Sequence, residues 1–395
     1  MKTTRREPLK TGLLSIGGLT LAPHLSFSET WKSPVSLDQS GNALYSPFFK
    51  EYIDESLFKE LDAISAKLNA NENPYGPSPN AVKAHQEGSM KGNRYAWKEL
   101  FQLIEKISIK EGVEPENIMM GPGSSDILEK TGVLLFLNGG NIVSADPSYM
   151  SMINVAKAVN AEWKGVPLKE DWSHDLKAME KAIDKDTRLV YICNPNNPTG
   201  SITPTSELRD FCRSVSDRVP VFVDEAYLDF LDDADKKSMV SLIKEGKNVI
   251  IARTFSKIHG MAGLRIGYMV AKEETVSAFQ EITRGGMGIS YPSVMAALAS
   301  MDDSAFVEKS KNLNNEVRDY VSEELGKMGF DYIKSFTSFI IFPIEMEGKA
   351  FLKKMKDQQV AVRAFEIQDK NWCRVSMGTK DEMDLFLNAI KTVLT

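Results

Sequence analysis

The stretch "RTFSKIHGMAGLRIGY", Arg253 to Tyr268, follows the apolar run "NVII" with Thr254 and Ser256, then a lysine at 257 and an arginine at 265. A lysine ending a buried strand ordinarily snorkels or pairs with a carboxylate; an amine set among small residues can also hold an aldehyde. Similar polar clusters close other apolar runs. "MGPGSSDIL" (120–128) puts Gly121, Gly123, Ser124 and Ser125 where a strand turns into a helix, and free N–H groups and hydroxyls there suit a phosphate. "VDEAYLDF" (223–230) puts Asp224 and Tyr227 at a strand end, where an acid is costly without a partner. Asp224 can pair with a cationic ring nitrogen or cap a helix, and Tyr227 can donate to a phenolate. "DPSYMSM" offers the face of Tyr149 for stacking or packing, and "CNPNNPTG" holds Asn197 in an irregular loop or a plain turn.

Each cluster alone has a bland reading. Together they describe one ligand: a phosphate, a pyridinium nitrogen, a phenolate oxygen, a flat ring and an aldehyde. That ligand is pyridoxal phosphate, an electron sink for amino-acid carbanions. Lys257 would hold its aldehyde, with Thr254, Ser256 and Arg265 around the phosphate.

The elements that must position these residues follow from the pattern. Short apolar runs ("NIMMG", "NIVSAD", "RLVYICNP", "VPVFVDEAY", "NVIIART") alternate with helical stretches such as "SELRDFCRSVSD". This predicts an α/β fold with a largely parallel sheet covered on both faces and ligands at the strands' carboxyl ends. After about residue 300, a long helical pattern, the strands "FIIFPI", "VAVRAF" and "WCRVSM", and a closing helix predict a smaller α+β domain. "FKEYIDESLFKELDAI" near the start has an amphipathic, helix-like spacing.

The 395 residues carry a net charge of -6, which argues against nucleic acid as a partner, and four histidines and three cysteines lie too scattered for a zinc site or a disulfide framework. No metal is expected. Residues 1–28 differ: "MKTTRREPLK" is basic, "TGLLSIGGLTLA" is apolar and short, and "SFS" offers small residues at a cleavage-like spacing. The layout predicts an export signal or, if uncleaved, a membrane anchor. "TRREPLK" resembles a twin-arginine translocation signal, although Pro8 departs from the usual pattern. That route carries folded proteins, so the cofactor would be loaded before transport and the product would be periplasmic; without a working signal the protein stays cytoplasmic.

The segments "KLNANENPYGPSP", "NRYAWKEL", "GPGSSD", "NPNNPTG", "DEAYLDF", "RTFSKIHGMAGLRIGY" and "CRVSMGT", in this order, resemble those of fold-type I, class I/II aminotransferases, and most of all the histidinol-phosphate aminotransferase family. The likeness covers about residues 66–395. It implies a large domain (91–290) with a mostly parallel, seven-stranded-type sheet between helices, a small C-terminal α+β domain (291–395), and an N-terminal segment (29–90) packed on the small domain. It also implies roles. Lys257 would bind the cofactor's aldehyde and shuttle the proton; Asp224 would hold the ring nitrogen protonated. Tyr227 and Asn197 would bind the ring oxygen, Tyr149 would stack, and Ser124, Ser125, Thr254, Ser256 and Arg265 would hold the phosphate. Tyr95 would reach the phosphate of a neighbouring subunit, implying a homodimer with shared sites. Arg374 would clamp the substrate carboxylate, Asn71 belongs to a segment covering the site, and Arg363 matches an arginine that contacts a substrate phosphate. His259 and Ala96 depart from the family pattern; His259 either lines the pocket or packs beneath the phosphate loop. The implied reaction moves an amino group from an amino acid to a 2-oxo acid. Decarboxylation, another α-carbon reaction, and a non-catalytic cofactor-binding module are the alternatives.

Overall fold

The structure is a computed structural model, and it describes residues 35–57 and 60–394. The expected export signal lies outside the described residues. The chain opens with three antiparallel strands, β1 (Ser36–Leu37), β2 (Ala43–Ser46) and β3 (Phe49–Tyr52), followed by a short β4 (Ala66–Lys67). The helix-like spacing from Phe49 onward therefore does not become a helix. Phe49, Glu51 and Tyr52 are buried in a strand, and the described part of that stretch has no α-helix, only short 3-10 turns such as Leu61–Ala63.

Next come β5 (Ile118–Gly121), β6 (Asn141–Asp146), β7 (Glu162–Pro167), β8 (Thr187–Cys193), β9 (Val221–Asp224), β10 (Val249–Thr254) and β11 (Gly267–Val270). They form one sheet of seven strands in the order β5-β11-β10-β9-β8-β6-β7. Pairing is parallel from β7 through β10, and β11 runs antiparallel to both its neighbours. The apolar runs are uninterrupted in β8 to β10 because helices cover both faces. Helix 205–215 shows how: Leu208, Phe211, Cys212 and Val215 recur at helical spacing and are its buried stripe. The sequence reading had no β7 or β11. β7 is an edge strand with mostly exposed or half-buried residues, and β11 is four residues behind a glycine- and arginine-bearing turn.

The chain closes with helix 304–327, β12 (Phe339–Ile344), β13 (Val360–Ala361), β14 (Arg363–Ile367), β15 (Lys370–Ser376) and helix 380–394. β13 pairs with β4. β14, β15 and β12 share an antiparallel sheet with β1 to β3, in the order β1-β2-β3-β14-β15-β12. The N-terminal strands are thus part of the small domain's sheet. Helix 291–301, grouped from sequence with the C-terminal residues, packs its Tyr291, Val294, Ala296 and Ala297 into the core of the large sheet, against helices 79–89 and 97–111.

Candidate active site

A cavity of about 720 Å³ is lined from both sheets: by Ser124, Asp224, Thr254 and Lys257 on one side, and by Tyr45, Glu51, Arg363 and Arg374 on the other. Its floor is built at the carboxyl ends of β8, β9 and β10, where parallel strands deliver their last residues side by side.

The phosphate-binding corner is a close approach of three chain segments. Gly123 precedes helix 124–136 at φ +87°, and a Cβ there would lie 2.2 Å from the Arg265 guanidinium. Gly267 lets β11 pass the start of the same helix, since its Cβ would lie 2.4 Å from the Ser124 amide nitrogen. Arg265 itself adopts the left-handed region at φ +55°. Its guanidinium donates to the Ala262 carbonyl at 3.0 Å and, at 3.4 Å, to Ser256 Oγ and the Pro122 carbonyl. The Ser256 amide donates to Thr254 Oγ1 at 3.1 Å. Among the described residues no carboxylate lies within ion-pair distance of Arg265. A helix N-terminus, hydroxyls and an uncompensated guanidinium together make an anion site.

Asp224, 2% exposed, is reached by the Ala226 amide at 3.1 Å and the Tyr191 hydroxyl at 3.3 Å. Burial pushes its pKa up to about 6, with the Ala226 amide, Tyr191 and Lys257 pulling the other way. It is a buried acid with no ion pair among the described residues, and a protonated ring nitrogen would supply the cation. Lys257 donates from Nζ to the Asn71 carbonyl at 2.8 Å and sits 5.5 Å from the centre of the Tyr227 ring. Burial, and then the charge of Arg374, hold its pKa down to about 8. Roughly a tenth of such an amine is neutral and nucleophilic at pH 7, against well under a thousandth of an ordinary lysine.

Tyr227 is buried edge-on to Phe339 and accepts a 2.8 Å hydrogen bond from Asn71 Nδ2; Asn71 Oδ1 in turn accepts from Ser376 Oγ at 2.7 Å. Asn71 therefore ties the covering segment to both the site and β15. Burial raises the Tyr149 hydroxyl, and Ser125 beside it pulls the other way. Arg374, 3% exposed, donates to Asn197 Oδ1 at 2.7 Å and lies 5.2 Å from the Phe339 ring and 5.6 Å from the Phe365 ring. It has no carboxylate partner among the described residues, and its Nε has no hydrogen bond.

Thirteen of the fourteen residues expected at the site line this one cavity; Tyr95 does not. It is 72% exposed, next to Trp97. His259 does not line the cavity either. It packs 4.8 Å from Phe255 and bonds through Nδ1 to Ser300 Oγ at 2.8 Å, and burial pushes its pKa down to about 4. Two residues escaped the sequence reading: Tyr45 and Glu51. Neither "ALYS" nor "FKEY" alternates apolar with polar residues, and Glu51 and Tyr52 are buried side by side, so no local pattern marked them.

This donor set fits pyridoxal phosphate: an uncompensated anion corner, a buried acid with a raised pKa, and a lysine with a lowered one. Fold and site define the class of enzymes that use this cofactor on amino groups. The family described as aminotransferase class I and II matches residues 64–390, and the chain belongs to it. It is 36% identical to a histidinol-phosphate aminotransferase of Moorella thermoacetica over 83% of this chain and 85% of that one. Histidinol-phosphate aminotransferase 2 of Haemophilus influenzae is 34% identical over 91% of this chain and 98% of its own length. A solved histidinol-phosphate aminotransferase from Sinorhizobium meliloti, in complex with pyridoxal-5'-phosphate, superposes with a TM-score of 0.79 at 26% identity, covering 87% of this chain and 95% of that one.

The reaction is a pyridoxal-phosphate-dependent transamination. When bound, the cofactor supplies an aldehyde and an electron-withdrawing ring. Ser124, Ser125, Thr254, Ser256 and Arg265 would hold its phosphate, and Asp224 would keep the ring nitrogen protonated. Tyr227 and Asn197 would bind the ring oxygen, and Tyr149 would stack on the ring. The Lys257 amine would be the base that takes the substrate's α proton and returns it. Arg374 would orient the substrate through a carboxylate.

Proposed function

We propose that the chain is an exported, homodimeric transaminase whose amino donor is a free amino acid. The observation that carries this reading is Arg374, a buried guanidinium near Lys257 with no carboxylate of its own among the described residues. An α-carboxylate satisfies it through paired hydrogen bonds. Arg374 serves the 2-oxo acid with any donor; against histidinol phosphate, the donor named for the relatives, which carries a phosphomonoester and no carboxylate, stands Arg363, whose guanidinium is already paired with Glu51. Export is supported by the "TRREPLK" leader pattern. The exposed Tyr95, Trp97 and Phe101 support a subunit contact on that face, with Tyr95 serving a neighbouring site.

The test is a panel of free amino acids against histidinol phosphate, on protein purified without added cofactor and read by cofactor absorbance. Turnover must require a 2-oxo acid. A clear preference for histidinol phosphate, lost in Arg363→Ala, would overturn the choice of donor. Fractionation of cells expressing the full chain, beside a variant with Arg5 and Arg6 both changed to lysine, tests export.

A further inference from the structure

β14 and β15 put two arginines directly opposite each other: Arg363 is the cross-strand partner of Arg374. Like charges so placed repel, and both line the cavity. Left alone, the pair would form a strongly cationic wall suited to a substrate with two anionic groups. β3 changes that. Glu51, 7% exposed, stands beside β14 opposite Phe365 and pairs with Arg363. Its second oxygen accepts from the Tyr45 hydroxyl at 2.8 Å. Both carboxylate oxygens are thereby engaged, and Arg363 also stacks 5.6 Å over Phe365. The surroundings are apolar: Val35, Ala43, Tyr45, Phe49, Phe365 and Ile367 belong to one buried cluster. A carboxylate in such a place persists only when paired, so the pairing is a fixed feature of the wall.

We propose that Glu51 is a specificity-determining residue: by cancelling the charge of Arg363 it leaves Arg374 as the substrate-side anion receptor, so the far end of the cavity takes an uncharged side chain and disfavours a distal anion. The inference rests on the transaminase reading and names the substrate class of that site. A phosphomonoester and a second carboxylate are the two distal anions concerned. Either would meet the Glu51 carboxylate where it needs a free guanidinium.

The test compares the holoenzyme with Glu51→Gln, which keeps the shape and the tyrosine contact while releasing Arg363. Two donor pairs differ only in a distal anion: glutamate against glutamine, and histidinol phosphate against histidinol. Apparent Kd comes from the cofactor's spectral change without acceptor, and KM and kcat from steady state. Wild type binds the uncharged member of each pair at least as well. Glu51→Gln shifts both Kd ratios toward the anion by about 10- to 100-fold, the worth of one charge-assisted hydrogen bond, mainly in KM. The double variant Glu51→Gln with Arg363→Gln, which leaves no buried charge unpaired there, returns the ratios to near wild type. A shift in the phosphate pair alone would confine the role to phosphomonoesters and overturn the broader claim. An active wild type with unmoved ratios in a folded Glu51→Gln would remove Glu51's role alone. A wild type that transfers no amino group to any 2-oxo acid would remove the reaction, and the subsite's role with it.

Discussion

Replacing Arg374 by glutamine removes a buried cation that has Asn197 and two aromatic rings for company but no carboxylate among the described residues. Its guanidinium is held well below its ordinary value, down to about 9, by burial first and by Arg363 second. At ~1.4 kcal/mol for each tenfold change in proton affinity, charging it in the cavity costs ~5 kcal/mol more than charging it in water. The ring contacts and the packing of its stem, lost in the variant, return ~2–4 kcal/mol of that. Cofactor-free Arg374→Gln is therefore expected to be more stable than wild type by ~1–3 kcal/mol, a rise in Tm of roughly 1–4 °C for a chain of this length. The sign can be checked with pH. The folded pKa lies below the unfolded one, so the penalty on wild type is full below about 9 and declines as pH rises through it, and the gap to the variant narrows there. Activity moves the other way: losing a desolvated carboxylate clamp costs ~3–5 kcal/mol, or roughly 100- to 1000-fold and more in kcat/KM for amino acids. Calorimetric melts and the donor half-reaction, followed by cofactor absorbance, measure both. A lower Tm in a folded variant would refute the uncompensated charge, and kcat/KM within about threefold of wild type would refute the clamp.

Lys257→Ala should lose borohydride fixation of the cofactor and cut turnover by at least ~10²–10⁴-fold, the usual worth of a positioned proton carrier; peptide mapping that finds the cofactor fixed on another lysine would remove the assignment. Asp224→Asn should stay folded but lose most turnover, because the ring loses the acid that keeps it protonated, and the cofactor's absorbance should show a changed pH titration. Since Lys257 is held down to about 8, the rate at which cofactor-free protein takes up pyridoxal phosphate should rise with pH and level off above about 9, whereas an unperturbed lysine would keep the rate rising past pH 10; stopped-flow absorbance separates the two. Gly267→Ala must push apart β11 and the Ser124 amide, with an expected loss of ~1–3 kcal/mol of stability and weaker cofactor binding, measured by melting and by equilibrium dialysis.

The parallel strands could be read from sequence because coverage on both faces makes β8, β9 and β10 uninterrupted apolar runs. The residues that end them, Asn197, Asp224, Tyr227 and Lys257, could be read because polar groups after such runs demand partners. The far wall of the cavity could not. Nothing local in "FKEY" says that it pairs with a strand more than 300 positions later, and the residues after it imitate an amphipathic helix. Glu51 was invisible for that reason, and Arg363 was read without the acid that neutralises it. His259 was ambiguous because its neighbour in space, Ser300, lies on a helix far along the chain.

Glu51 and Arg363 are 312 positions apart. At the roughly 5–20 residues per second of synthesis, ~15–60 s separate the appearance of the two on a growing chain. For that interval β3 has β2 on one side and no strand on the other, since its second neighbour is β14. The large sheet, with its more local pairings, can assemble meanwhile; the substrate-facing wall is the last to close. A chain that ends after the large domain but before Arg363 has every residue of the cofactor corner yet leaves a bare strand edge, the kind of edge that recruits other chains. Loss of a short C-terminal piece would thus appear first as aggregation, with catalysis lost as its consequence.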